Sequence, residues 1–182
     1  MKTPKVTFSF AAMVCILAWL DWKICLGFLL SAFVHELGHL AAMKLCKVPI
    51  GSIVISAAGA KIESRTMGVL TELYCAAAGP LAGVVFALVI LRVLPQTAVI
   101  SFFLSVINML PLYPLDGGRM VRSVLCMRMD EEKVRKIMRT ITFITCSLLM
   151  LCACWGVVWL QMGIWPIFAA LILLCRSAHH GE

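Results

Sequence analysis

Residues 34–39 contain the pattern H-E-x-x-H inside an apolar run that covers about residues 22–43. Residues four apart lie on one face of a helix, so His35 and His39 could bind one metal ion together. Glu36 follows the first histidine and could act as a general base on a metal-bound water. Ionisable side chains are costly in a membrane segment, so this motif indicates a functional site. Two buried structural histidines would leave Glu36 unexplained.

The composition indicates a protein that crosses the membrane several times. The chain has 182 residues, of which 62% are hydrophobic, and its mean hydropathy is +1.00. At roughly 20 apolar residues per span, the length allows about six spans and leaves no room for a soluble domain of ordinary size. We interpret the net charge of +7 as basic cytoplasmic loops beside anionic lipid, and we expect no nucleic-acid partner.

Six apolar runs predict the membrane spans, at about 6–20, 22–43, 70–94, 97–110, 141–160 and 164–175. Between the second and third runs, residues 51–64 alternate in polarity and contain glycine, which predicts a short β-hairpin. We therefore expect an all-α polytopic membrane protein with about six transmembrane helices and a β-hairpin between spans 2 and 3. The whole chain, 1–182, is predicted to form one domain.

A broken segment follows the fourth run. Pro111, Pro114, Gly117 and Gly118 cannot continue a regular helix. Irregular backbone at membrane depth must lie against protein or a water-filled cavity. We expect the two glycines to adopt unusual backbone angles, which would let Asp116 point inward. A polar stretch at 119–139 then predicts an amphipathic helix and an acidic first turn leading into span 5.

The basic residues predict the orientation. With the N-terminus in the cytoplasm, 14 of the 16 lysines and arginines lie on the cytoplasmic side, and only Lys23 and Arg92 lie outside. Both termini are therefore predicted to be cytoplasmic. The C-terminal ends of spans 2 and 4, which carry the H-E-x-x-H motif and Asp116, lie on the same side.

A catalytic zinc site needs a third protein ligand and one open position. The remaining histidines, His179 and His180, lie in the tail, and the nine cysteines contain no C-x-x-C pair. Asp116 is the best third ligand, because the broken segment can return it to the depth of the histidines. By itself, Asp116 would be better explained as a capping or turn residue, and the H-E-x-x-H motif is what favours the ligand role. Glu72, near the start of span 3, is the other acidic candidate.

Three motifs carry a family resemblance: His35 to His39, the sequence Ala78-Gly79-Pro80, and Asn108-x-x-Pro111-x-x-x-Leu115-Asp116-Gly117. Together they resemble the site-2 protease family of intramembrane zinc metalloproteases. The resemblance covers about residues 20–125, the expected catalytic core, and spans 5 and 6 lie at about 137–176. The layout is similar to the sporulation stage IV branch, which activates a membrane-associated sigma factor precursor.

The resemblance implies a role for each matching residue. His35, His39 and Asp116 would ligate one Zn²⁺ per chain, Glu36 would be the catalytic base and acid, and Asn108 would hold the substrate or the oxyanion. It also implies a membrane-associated protein substrate and leaves room for an inhibitory or regulatory membrane partner. The sequence up to Glu182 contains neither the cystathionine-β-synthase-type domain of that branch nor a PDZ insert.

The expected function is hydrolysis of a peptide bond near the cytoplasmic side, with release of a transcription regulator such as a sigma factor. We expect the strand at 52–57 to offer an edge to an extended substrate, although a plain connecting hairpin explains it as well. The alternatives are a membrane metal transporter, a catalytically silent substrate-binding scaffold, and another H-E-x-x-H peptidase class that uses Glu72. The sequence leaves the substrate and the oligomeric state open.

Overall fold

The fold is that of a computed structural model, which describes residues 5–6, 8–48, 50–56, 59–64 and 67–160. The chain forms two compact units, Met1–Asn108 and Met109–Glu182. Their elements, in chain order, are β1 Lys5–Val6, α1 Phe8–Leu20, α2 Trp22–Leu45, β2 Ile50–Ser56, β3 Gly59–Ser64, α3 Val69–Ile90 and α4 Pro95–Asn108 in the first unit, and α5 Asp116–Cys126 and α6 Glu131–Leu160 in the second.

Three of the described helices are long and apolar enough to cross a membrane: α2, α3, and α6 over Glu131–Val157. Helices α1 and α4 are apolar but shorter, with 13 and 14 residues. The predicted sixth span, at 164–175, lies outside the described residues. The length and composition of these helices indicate a membrane protein, and the count of six spans stays a prediction.

Two helix boundaries differ from the prediction around residues 90–97. Helix α3 ends at Ile90 rather than near Leu94, and α4 begins at Pro95 rather than near Thr97. We predicted that Pro95 would end a span. It instead opens one, because the first position of a helix needs no backbone N–H and suits the fixed φ of proline.

In the first unit, α2, α3 and α4 pack against one another. Their buried faces repeat every four residues and carry small side chains, as close helix packing in membranes requires. A Cβ on Gly38 would lie 2.5 Å from the Ala78 carbonyl oxygen and 2.7 Å from the Ala82 Cβ. Buried serines add hydrogen bonds, since Ser101 donates to the Gly83 carbonyl at 2.9 Å. Helix α2 is thereby held tightly against α3.

Lys47, two residues after the last residue of α2, adopts the left-handed backbone conformation with a φ of 54°. The Lys47 N–H donates to the Lys44 carbonyl at 3.2 Å, and the Val48 N–H donates to the Met43 carbonyl at 2.9 Å. These are the two hydrogen bonds of a Schellman motif, which satisfies the last carbonyls of a helix.

The described strands form a three-stranded sheet in the order β1-β2-β3. Strands β2 and β3 pair antiparallel, and β1 pairs parallel with β2 at Val54 and Ile55. The expectation that 52–57 offers an open edge is therefore wrong at these two positions, because the N-terminal segment already pairs there. In the part of the chain that the structure describes, β3 and the two-residue β1 are the outer strands of this sheet.

The second unit begins with the irregular segment 109–115, as predicted, and continues into α5. The expected unusual backbone angles at Gly117 and Gly118 are wrong, because both glycines are helical residues of α5. Their missing side chains matter for packing instead. A Cβ on Gly117 would meet the Met109 carbonyl, and a Cβ on Gly118 would meet the Leu112 carbonyl. Leu112, Leu115 and Cys146 form the buried core of this unit.

Candidate metal centre

His35 and His39 lie on the buried face of α2. This face repeats every four residues, and its members include Gly27, Ser31, His35, His39 and Met43. The two imidazoles are 5% and 7% exposed, and their rings meet edge to face with centroids 4.8 Å apart. The i, i+4 spacing therefore does bring both rings to one point inside the first unit.

A backbone carbonyl on α3 fixes the tautomer of His39. His39 Nδ1 lies 2.7 Å from the Cys75 carbonyl oxygen. A carbonyl oxygen can only accept, so Nδ1 carries the hydrogen and Nε2 of the neutral ring presents its lone pair. This Nε2 lies 3.2 Å from Nε2 of His35. Metal-binding histidines are commonly oriented in this way, by a carbonyl that holds the other ring nitrogen.

Glu36 is half-buried on α2, directly after His35. Its Oε2 atom is out of contact with solvent. A carboxylate placed next to a metal-binding histidine can reach a water at the metal, which is the role predicted for it. That role stays a prediction.

Asp116 is the first residue of α5 and is 7% exposed. Its carboxylate sits in the first helical turn, where the helix dipole favours negative charge. Arg119, one turn later, places Nη1 3.4 Å from Asp116 Oδ1. The arginine can hold one carboxylate oxygen and thereby orient the carboxylate group.

His35, His39 and Asp116 are all buried. Two imidazole nitrogens and one carboxylate oxygen are a donor set of catalytic zinc sites, in which the fourth position is open. The chemistry of these three side chains therefore fits a zinc ion. Glu72, the rival acidic residue, is half-buried in the first turn of α3.

Asn108 is the last residue of α4 and is half-buried. Its Nδ2 donates to the Leu104 carbonyl at 2.9 Å. An amide NH₂ has two hydrogens, so this bond uses only one of them. The predicted substrate role of Asn108 stays a prediction, and His179 and His180 lie outside the described residues.

Sequence reasoning missed two groups beside the candidate ligands. The Cys75 carbonyl is a backbone atom, and no residue pattern marks it. Arg119 carries a signal that was available, because it follows Asp116 at the i, i+3 spacing of helical neighbours. That signal depended on recognising residue 116 as helical.

Comparison with known proteins supports the resemblance noted in the sequence. The model of peptidase family M50 matches residues 90–151. The resemblance to the site-2 proteases is thereby confirmed. The chain is similar in fold to the site-2 protease from Methanocaldococcus jannaschii, with a TM-score of 0.75, 22% identity, and coverage of 100% of this chain and 94% of the other.

Two curated proteins are similar to this chain in sequence. It is 28% identical over 120 residues to the zinc metalloprotease MJ0392 of Methanocaldococcus jannaschii, covering 59% of this chain and 35% of that protein. It is 27% identical over 164 residues to the stage IV sporulation protein FB of Bacillus subtilis (strain 168), covering 82% of this chain and 56% of that protein. The chain therefore spans about a third to a half of the lengths of these relatives.

Proposed function

We propose that this chain is an intramembrane zinc metalloprotease that hydrolyses a peptide bond of a membrane-associated protein near the cytoplasmic side. The observation that carries the proposal is the pair of buried histidines, His35 and His39, whose Nε2 atoms lie 3.2 Å apart, with Glu36 next to the first histidine. The match to the M50 family model and similarity to a zinc metalloprotease support it.

In this proposal His35 and His39 hold zinc through Nε2, and Asp116 holds it through a carboxylate oxygen. A bound zinc ion would supply Lewis acidity, which activates water and polarises a peptide carbonyl. Glu36 accepts the proton of the attacking water and returns it to the leaving amine nitrogen. Asn108 donates its second amide hydrogen to the substrate carbonyl or to the developing oxyanion.

The proposed topology has six spans, a β-hairpin between the second and third, and both termini in the cytoplasm. Its support is the distribution of lysine and arginine, of which 14 of 16 fall on one side. A transmembrane substrate hides its carbonyls in helical hydrogen bonds and must unwind before hydrolysis. The outer edge of β3 offers backbone groups to such an extended segment.

The proposed substrate is a membrane-associated precursor of a transcription regulator, such as a sigma factor. Similarity to a stage IV sporulation protein supports this choice. A metal transporter is the weaker alternative, because its ligands would be spread along several spans. Here His35 and His39 lie side by side, next to a glutamate in the general-base position.

The proposal is tested by co-expressing the full chain with membrane-anchored candidate regulators, each tagged at its cytoplasmic end. We expect a released tagged fragment with the wild type and none with Glu36→Gln. Release of the same fragment by both proteins would contradict the proposal. Zinc flux into proteoliposomes without any cleavage would favour the transporter.

A further inference from the structure

Gly79 on α3 lies directly against the imidazole of His39. A Cβ built on Gly79 would meet Nε2 of that ring and would lie 2.5 Å from Cε1 and 2.8 Å from Cδ2. Such contacts are far shorter than two packed carbon atoms allow. Any side chain at residue 79 must therefore displace the His39 ring or move α3.

The same ring is held at its other nitrogen by the carbonyl of Cys75, four residues before Gly79. The Nδ1–O distance is 2.7 Å, and residues four apart share one face of α3. One turn of α3 thus supplies the Cys75 carbonyl as an acceptor for Nδ1, and Gly79, which has no side chain, leaves space for the rest of the ring. Together the two contacts define both the tautomer and the plane of His39.

The resulting ring position suits metal binding. Two tetrahedral zinc ligands at about 2.05 Å would lie roughly 3.3 Å apart. The Nε2 atoms of His35 and His39 are 3.2 Å apart. A rotation of the His39 ring that broke the Cys75 contact would also move Nε2 away from this spacing.

We propose that Gly79 is a positioning residue for the metal site, and that it acts by letting the Cys75 carbonyl hold His39 in the Nδ1–H tautomer with Nε2 directed at the metal. This inference rests on the proposed function, because it assumes that His39 is a ligand. Gly79 itself touches neither metal nor substrate. It is required because α2 and α3 approach so closely that no Cβ fits between them.

The test compares full-length Gly79→Ala with wild type and with the control Gly83→Ala. Gly83 lies one turn later on the same face of α3, but its Cβ would meet the Ser105 hydroxyl and not a histidine. Both variants add one methyl group to the helix packing. The first readout is the affinity for Zn²⁺, which is measured by competition with a chelator. The visible absorption of bound Co²⁺ reports the geometry of the same site. The second is the tautomer of His39, read from ¹⁵N shifts of histidine-labelled, metal-free protein.

We expect Gly79→Ala to lower the zinc affinity by about tenfold to a hundredfold, the usual effect of disturbing the groups that orient a metal ligand. We also expect it to alter the Co²⁺ spectrum and to reduce the fraction of the Nδ1–H tautomer. Gly83→Ala should keep the zinc affinity, the Co²⁺ spectrum and the tautomer fraction at wild-type values, even if its unfolding temperature falls as far as that of Gly79→Ala.

Wild-type affinity and tautomer in Gly79→Ala would overturn the inference, and so would equal losses in the two variants. A wild-type protein that binds no zinc would instead overturn the proposed function. In that case the ¹⁵N measurement on metal-free protein still decides whether Gly79 sets the tautomer of His39.

Discussion

Arg119 Nη1 lies 3.4 Å from Asp116 Oδ1, one helical turn along α5. The aspartate side chain is 9% exposed and that of the arginine 28%, so the pair is partly shielded from water. A charged donor on one carboxylate oxygen orients the other. We therefore predict that Arg119 helps to orient the Asp116 carboxylate for the proposed metal.

Replacing Arg119 is expected to weaken zinc binding while the fold is kept. Arg119→Met should lower the affinity about tenfold or more, because groups that orient metal ligands typically contribute this much. Arg119→Lys should restore part of it, since lysine keeps the charge but lacks the planar donor fork. Arg122→Met is the control: Arg122 lies on the same helix and pairs with Glu131 at 2.9 Å. Equal zinc affinities in Arg119→Met and Arg122→Met would refute this role.

The close approach of α2 and α3 predicts a difference between two glycines of α2. Either alanine gains about 1 kcal/mol of helix propensity. The Cβ of Gly38→Ala would strike the backbone at Ala78, whereas that of Gly27→Ala would meet side-chain atoms of Thr97 and Ile100 at 3.0 and 3.2 Å. Overpacking typically costs about 1–3 kcal/mol.

Thermal unfolding in detergent distinguishes the two variants. Gly38→Ala should unfold below the wild-type temperature, and Gly27→Ala at or above it. A higher unfolding temperature for Gly38→Ala than for Gly27→Ala would contradict the close contact between α2 and α3 at Gly38.

Several features could be predicted from sequence because they depend on local spacing. The H-E-x-x-H spacing predicted that His35 and His39 share a helix face, and the prolines at 111 and 114 predicted the break after α4. Features that depend on tertiary approach could not be predicted. Gly117 and Gly118 were expected to adopt unusual angles, but their role is to admit the carbonyls of Met109 and Leu112 beside α5.

The Cys75 carbonyl shows a second limit of sequence reasoning. Every residue carries a backbone carbonyl, so the residue type does not mark the one that accepts a hydrogen bond. The partner of His39 Nδ1 is therefore identified only when α3 is placed against α2. The pairing of β1 with β2 is likewise a contact between distant segments, and the hydrophobic pattern of each segment leaves it open.

The basic residues predict the side on which the C-terminus lies. A reporter that is active only outside the membrane, fused after Glu182, should be silent, because both termini are expected in the cytoplasm. The same reporter inserted after Lys23, which is expected outside, should be active and serves as the control. An active fusion after Glu182 would refute the six-span topology.

The proposed third ligand predicts a separation between metal binding and activity. Asp116→Ala should lose zinc and activity together, since carboxylate oxygen is a zinc ligand. Asn108→Ala should keep about one zinc ion per chain and lose activity, because its role is to hold the substrate or the oxyanion. Metal analysis of the purified variants measures this. Full zinc in Asp116→Ala with loss of zinc in Glu72→Ala would transfer the ligand role to Glu72.

The most direct test of the account is the cleavage rate of purified wild type and Glu36→Gln at equal zinc content, on a substrate found by co-expression. The amide cannot accept the proton of the attacking water, so loss of a general base should lower the rate by about 10² to 10⁴. We expect Glu36→Gln to bind zinc like the wild type and to show a rate lower by that factor. Wild-type turnover by the zinc-loaded variant would contradict the assignment of Glu36 and, with it, the proposed mechanism.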